Sequence, residues 1–156
     1  MSYPQVPFVP TPLSVVKRML ELAELKPGEV LYDLGCGDGR IIIMAAKEFG
    51  ARAVGIELRK DLVEQCIKEV KRQKLEDKIT IIHGNFFDID IGEADVVTLY
   101  LLTSVNEKLK PKFEKELKRG ARVVSHDFEV VGWKPLKVES VYDQWRSHRI
   151  YLYKLP

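Results

Sequence analysis

Residues 31–39 read Leu-Tyr-Asp-Leu-Gly-Cys-Gly-Asp-Gly, with glycines at 35, 37 and 39. Glycine reaches positive φ without a Cβ penalty, so a loop built this way lets the main chain approach a bound group closely. An apolar run precedes the loop and a helical pattern from Arg40 to Phe49 follows it. The loop therefore joins a strand to a helix, whose first turn offers unpaired N–H groups to negative charge. The spacing is G-x-G-x-G rather than the G-x-G-x-x-G of dinucleotide sites, and no Lys-Ser/Thr pair follows, which excludes a P-loop. Asp33 is expected to orient the loop or meet a cationic group, and Asp38 to cap the following helix.

A second chemical residue stands 24 positions beyond Asp33. Glu57 ends the apolar run Ala53-Val54-Gly55-Ile56, and an acid about 20 positions past a glycine loop reads as an acceptor for both ribose hydroxyls. Leu58, beside it, is assigned to the same pocket.

The elements that must position these residues follow from periodicity. Pro4 to Pro12 is proline-dense and extended or turning. Thr11-Pro12 reads as an N-cap followed by proline at the first helical position, and Val16, Met19, Leu20 and Ala23 give that helix one apolar face. Strands are predicted at 29–34, 53–57, 78–82, within 94–102, and at 121–125. Helical patterns begin at Arg40, after Asp61, which is expected to cap a helix carrying Leu62, Cys66 and Val70, and at a capping box, Ser104-x-x-Glu107; Pro111 is expected to kink or restart that last helix. Two further strands near 136–142 and 148–155 close the chain, the last alternating Ile150 and Leu152 against Tyr151 and Tyr153. Seven strands, with helices between the first five, predict a parallel, doubly wound α/β sheet with its ligand across the carboxyl ends of the strands.

Composition narrows the classes. The chain has 156 residues, 46% hydrophobic and 31% charged, with net charge +2, as suits one folded domain and gives no strong nucleic-acid signal. No apolar run is long enough for a membrane span, no secretory leader is visible, and Cys36 and Cys66 suggest neither a disulfide framework nor a zinc site. A cytoplasmic monomer without a metal is the expectation.

Asp33-Leu34-Gly35-Cys36-Gly37-Asp38-Gly39 resembles motif I of the class I, seven-strand methyltransferases that use S-adenosylmethionine. The resemblance implies a Rossmann-like sheet with a C-terminal antiparallel hairpin, and a loop in which Asp33, Gly35 and Gly37 hold the methionine part of the cofactor. It assigns Glu57 to the ribose. Asn85 and Phe86, after the third strand, meet the adenine. Asn85 departs from the commoner Asp, but its side-chain oxygen can still accept from an amino group; the alternative makes Asn85 a turn residue and the phenylalanines core.

Pro7-Phe8-Val9-Pro10-Thr11-Pro12 resembles the N-terminal signature of small archaeal protein-lysine methyltransferases and their mitochondrial relatives, which methylate an ATP synthase subunit or adenine nucleotide carrier. This implies that residues 1–12 form an arm covering the cofactor, with Phe8 and Thr11 beside it, on a core of 13–156. Tyr100, after the fourth strand, falls where the class places substrate-side residues. It is the candidate catalytic residue and a cofactor contact, able to hydrogen-bond or to stack on an alkyl-ammonium stem, or else purely structural. The Asn/Asp-Pro-Pro-Tyr/Phe tetrad of adenine and glutamine N-methyltransferases is absent. His126 or Asp127 is expected to shape the mouth of the site.

These residues predict a protein-lysine N-methyltransferase using S-adenosylmethionine and acting on exposed lysines of protein partners. The alternatives are an RNA or small-molecule methyltransferase, or a non-catalytic cofactor-binding subunit. A nicotinamide reductase fits least, because the glycine spacing differs and no Tyr-x-x-x-Lys is present.

Overall fold

The computed structural model describes residues 8–156; the arm's first seven residues, Pro7 included, lie outside them. Helix α1 (Leu13–Leu22) leads into β1 (Val30–Leu34), α2 (Arg40–Phe49), β2 (Arg52–Glu57), α3 (Lys60–Arg72) and β3 (Ile79–His83). Then come β4 (Val96–Leu99), α4 (Thr103–Glu116), β5 (Arg122–His126), β6 (Lys137–Tyr142) and β7 (Ser147–Lys154). The strands form one sheet in the order β3-β2-β1-β4-β5-β7-β6. The first five are parallel, while β7 runs antiparallel to both β5 and β6. This is the predicted doubly wound sheet with its closing hairpin.

Side chains from α1 and α2 fill one layer of the core against the sheet, with Met19, Leu20 and Ile42 fully buried. Leu109 and Phe113 of α4, with Tyr153, fill the other. A buried side chain of this size contributes about 1.5–3 kcal/mol. The continuous burial of β4 and of most of β1 reflects cover on both faces, as parallel strands require.

Four local expectations are corrected. The β3–β4 connection holds a single 3-10 turn, Phe86–Asp88, in place of a helix. Asp61 lies inside the first turn of α3, whose N-cap is Arg59, and is paired with the Arg59 guanidinium at 2.7 Å. Helix α4 starts one residue before Ser104, at Thr103, so the capping box does not form, and it runs unbroken through Pro111. Proline removes one helical N–H, and the carbonyl left without it is that of Glu107, an exposed residue. Finally, Pro12 is the N-cap of α1 and Thr11 makes no cap bond; its hydroxyl is used elsewhere.

Candidate active site

The loop after β1 is pinned to the neighbouring strand. Gly35 N and Cys36 N both donate to Ile56 O, at 2.8 and 3.0 Å. Gly37 adopts φ +55°, and a Cβ there would stand 2.2 Å from Phe8 Cε2; only glycine combines that conformation with that contact. The described end of the arm thus lies on the loop through Phe8. Arg40, in the first turn of α2, closes the corner. Its Nη2 is 2.7 Å from Asp38 Oδ2 and its Nη1 donates to Thr11 O at 3.1 Å. Asp38 does serve the helix start, since Arg40 N donates to its Oδ1 at 3.2 Å.

Glu57 is 9% exposed and braces the loop: Oε1 accepts from Gly37 N at 2.8 Å and Oε2 from Arg59 N at 2.9 Å. Each oxygen keeps a further lone pair, so the carboxylate can still accept two hydroxyls. Asp33 is buried, and one oxygen accepts from Thr98 Oγ1 at 2.9 Å. Burial, with Glu57 and Asp38 adding like charge, raises its pKa to about 7. Asp38 is neutralised by Arg40, which leaves Asp33 and Glu57 as the acids facing the backbone loop, with no cation beside Asp33 among the described residues. This is the electrostatic complement of a ligand that carries a ribose diol at one end and a positive amino acid or sulfonium at the other. The donor set fits S-adenosylmethionine.

The remaining predicted residues are distributed around this centre. Leu58 is exposed next to Glu57, and its carbonyl accepts from the His83 ring at 3.0 Å. Asn85 caps the 3-10 turn, its Oδ1 accepting from Phe87 N at 3.0 Å. The turn reading therefore holds for one lone pair, and a second remains for an amino group. Phe86 packs partly into the core.

Tyr100 stands just past β4, its ring 3.9 Å from the His126 ring and 6.1 Å from Phe128. Its hydroxyl accepts from Arg146 Nη2 at 3.4 Å, and burial raises its pKa. Asp127, in a left-handed conformation at φ 62°, turns the chain at the end of β5 and holds Arg146 at 2.7 Å.

Thr11 belongs to this second group. Its hydroxyl meets His126 Nδ1 at 3.0 Å, His126 Nε2 meets His148 Nδ1 at 2.8 Å, and His148 Nε2 meets Asp143 Oδ2 at 2.6 Å. His148, Asp143 and Arg146 escaped the sequence reading. The available signal was that two of only three histidines sit at the joined ends of β5 and β7 once the hairpin is antiparallel. Asn106 of α4 was also missed; its amide donates to the carbonyls of Phe128 and Glu129 at 3.2 and 3.3 Å and holds the turn after β5 in place. A shallow cavity of about 520 Å³ near Trp133 and Tyr153 lies toward the amino ends of the parallel strands, away from these groups.

The sheet order, the hairpin and the loop at the strand ends define a seven-strand α/β methyltransferase fold. A crystal structure of an RNA methyltransferase from Salinibacter ruber, in complex with S-adenosyl-L-homocysteine, superimposes with a TM-score of 0.89 at 48% identity, covering 95% of this chain and 94% of that one. Residues 33–137 match the ANTKMT methyltransferase domain, and the chain belongs to that family. It is 53% identical over 155 residues to a protein-lysine N-methyltransferase of Saccharolobus islandicus, covering 98% of this chain and 96% of that protein. It is 34% identical over 135 residues to the adenine nucleotide translocase lysine N-methyltransferase of Mus musculus, covering 86% of this chain and 58% of that protein. The chain thus spans nearly all of the first relative and little more than half of the second.

Proposed function

We propose that this chain transfers methyl groups from S-adenosylmethionine to lysine side-chain amines of proteins. The observation that carries the reading is the 53% identity, over nearly the full length of both chains, to a protein of that activity. When bound, the cofactor supplies a methyl group on a sulfonium, a good leaving group. Asp33 and the glycine loop would hold its amino-acid end, Glu57 its ribose, and Asn85 with Phe86 its adenine. The protein's task is then to hold amine and methyl in line at about 3–3.5 Å and to present the amine uncharged, against an ordinary lysine pKa of about 10.4. Tyr100, at the carboxyl end of β4, offers an aromatic face to an alkyl-ammonium stem.

RNA is the second reading, favoured by the description of the Salinibacter ruber structure. Against it stand a net charge of only +2 and a basic run on α3 that is partly neutralised, Arg72 being paired with Glu69. Methyl-labelled cofactor and a cell extract, followed by protease or nuclease, separate the two. Label lost to protease and mapped to lysine supports the proposal; label lost only to nuclease replaces it with the RNA reading.

A further inference from the structure

Arg40 touches both the glycine loop and the N-terminal arm, and the cofactor contacts above do not use it. Its placement begins in the loop. Gly39, at φ +87°, turns the chain between Asp38 and Arg40, and a Cβ there would stand 2.3 Å from Cys66 Sγ, so the turn belongs to glycine. Across that turn Asp38 Oδ1 accepts from Arg40 N at 3.2 Å and from Arg40 Nε at 3.1 Å, while Oδ2 accepts from Nη2 at 2.7 Å. The carboxylate therefore takes one edge of the guanidinium fork and fixes its plane. Nη1, outside that edge, donates to Thr11 O at 3.1 Å. The pairing that aims this donor spans only three residues, so the donor is oriented by the loop itself and not by the arm.

The arm is stiff where Arg40 catches it. Thr11 stands between Pro10 and Pro12, each with a fixed φ and no N–H, and Pro12 confines Thr11 to extended backbone. Thr11 is 4% exposed, whereas Phe8, Val9 and Pro10 are exposed. Holding the Thr11 carbonyl thus sets the direction of the residues before it. Three positions back, the Phe8 ring lies against Gly37. The Thr11 hydroxyl is held from the other side by His126 Nδ1 at 3.0 Å. Among the described residues, the Arg40 bond to Thr11 O is the only hydrogen bond between residues 8–11 of the arm and the glycine-loop corner.

The charge balance bears on what Arg40 does. Asp38 already neutralises the guanidinium, so Arg40 turns no unbalanced positive charge toward a ligand. That favours a role in holding the arm over direct capture of an anionic group.

We propose that Arg40 is a positioning residue that latches the arm onto the glycine loop and so sets how fast the cofactor leaves. The inference rests on the assignment of S-adenosylmethionine to that loop. With the latch made, the stiff segment keeps Phe8 on Gly37. With it broken, the arm keeps only the Thr11 hydroxyl bond and its packing, and the loop is uncovered more often. Asp38 aims Arg40, Arg40 holds Thr11, and Thr11 directs Phe8; none of them needs to meet the transferred methyl group.

The test follows S-adenosylhomocysteine, by calorimetry for affinity and by chase of labelled ligand for release. Arg40→Met keeps the side-chain stem and removes every donor. It is expected to speed release and weaken binding by about tenfold, the lower end of what one hydrogen bond to a charged group supplies. In methyl transfer to a lysine-containing peptide, KM for the cofactor should rise by about tenfold while kcat at saturation stays within about twofold, because the latch touches no reacting atom. Phe8→Ala should also weaken binding, and Arg40→Met added to it should cost less than about twofold more. That non-additivity is the signature of a residue acting through the arm. Arg40→Lys keeps a cation beside Asp38 but not the fork that serves Asp38 and Thr11 together. It should release the ligand faster at a near wild-type melting temperature, which separates the latch from a loss of folding in Arg40→Met. Equal losses from Arg40→Met in the wild-type and Phe8→Ala backgrounds overturn the latch and make Arg40 a direct ligand contact or a brace of the loop. Release unchanged in both Arg40 variants also overturns it. Wild-type protein that binds no S-adenosylhomocysteine defeats the cofactor assignment itself, an outcome distinct from these.

Discussion

The carboxyl-end face of the sheet has two sides built on different principles. On the β1–β2 side, backbone does the work: Gly37 and Arg59 give their N–H groups to one carboxylate, Glu57, and the loop hangs from Ile56 O. Every contributor lies within one short stretch of sequence. On the β4–β5–β7 side, side chains from the N-terminal arm, a strand end and a hairpin meet over separations as large as 115 positions, between Thr11 and His126. The first side is a local motif. The second depends on the whole sheet being assembled.

The comparison breaks first at Glu57. Glu57→Ala removes the acceptor of two N–H groups and two prospective hydroxyl contacts. Hydrogen bonds to a charged group are each worth about 1.5–3 kcal/mol, so calorimetry should find cofactor affinity reduced by at least about 100-fold. Retention of affinity within tenfold would refute the ribose assignment.

Gly37→Ala comes next. A Cβ at φ +55° pressed against Phe8 costs about 1–3 kcal/mol in backbone strain alone, so binding should weaken by about tenfold or more. Gly37→Ala combined with Phe8→Ala should recover part of that loss, which measures how much of it belongs to the arm.

Asp33 sharpens the electrostatic side. Its pKa in the folded protein, about 7, lies above the ordinary carboxyl value, so the folded state holds its proton more tightly than the unfolded chain. The stability this gives is present in acid and is lost as pH rises through about 7. The ligand-free protein should therefore lose thermal stability between about pH 4 and 7, and Asp33→Asn should flatten that slope in melting experiments. An unchanged slope would assign the pH dependence to other groups.

The smallest effect is expected at Asn85. Asn85→Asp keeps the acceptor for Phe87 N and should leave cofactor affinity within about threefold. Asn85→Ala removes the cap and should lower stability by about 0.5–2 kcal/mol, read by chemical denaturation.

Legibility followed the same division. Strand–loop–helix order, the α2 boundaries from Arg40 to Phe49 and the acid at Glu57 were readable because apolar periodicity and glycine spacing are local properties. The misread helix starts at Thr11, Asp61 and Ser104 share one cause. A hydroxyl or carboxylate near a helix start has several possible partners, and neighbours distant in sequence decide among them. Thr11 is the clearest case: its composition says cap, and a buried imidazole from β5 claims it instead.

By itself the sequence determined the α/β class, the glycine loop and the acceptor at Glu57, since each needs only residues adjacent along the chain. Tertiary structure alone decided what Thr11, His126, His148 and Asp143 do. Their chemistry exists only because an antiparallel β7 returns beside β5 and brings two imidazoles within hydrogen-bonding distance, an alignment fixed by sheet register and not by any spacing along the chain.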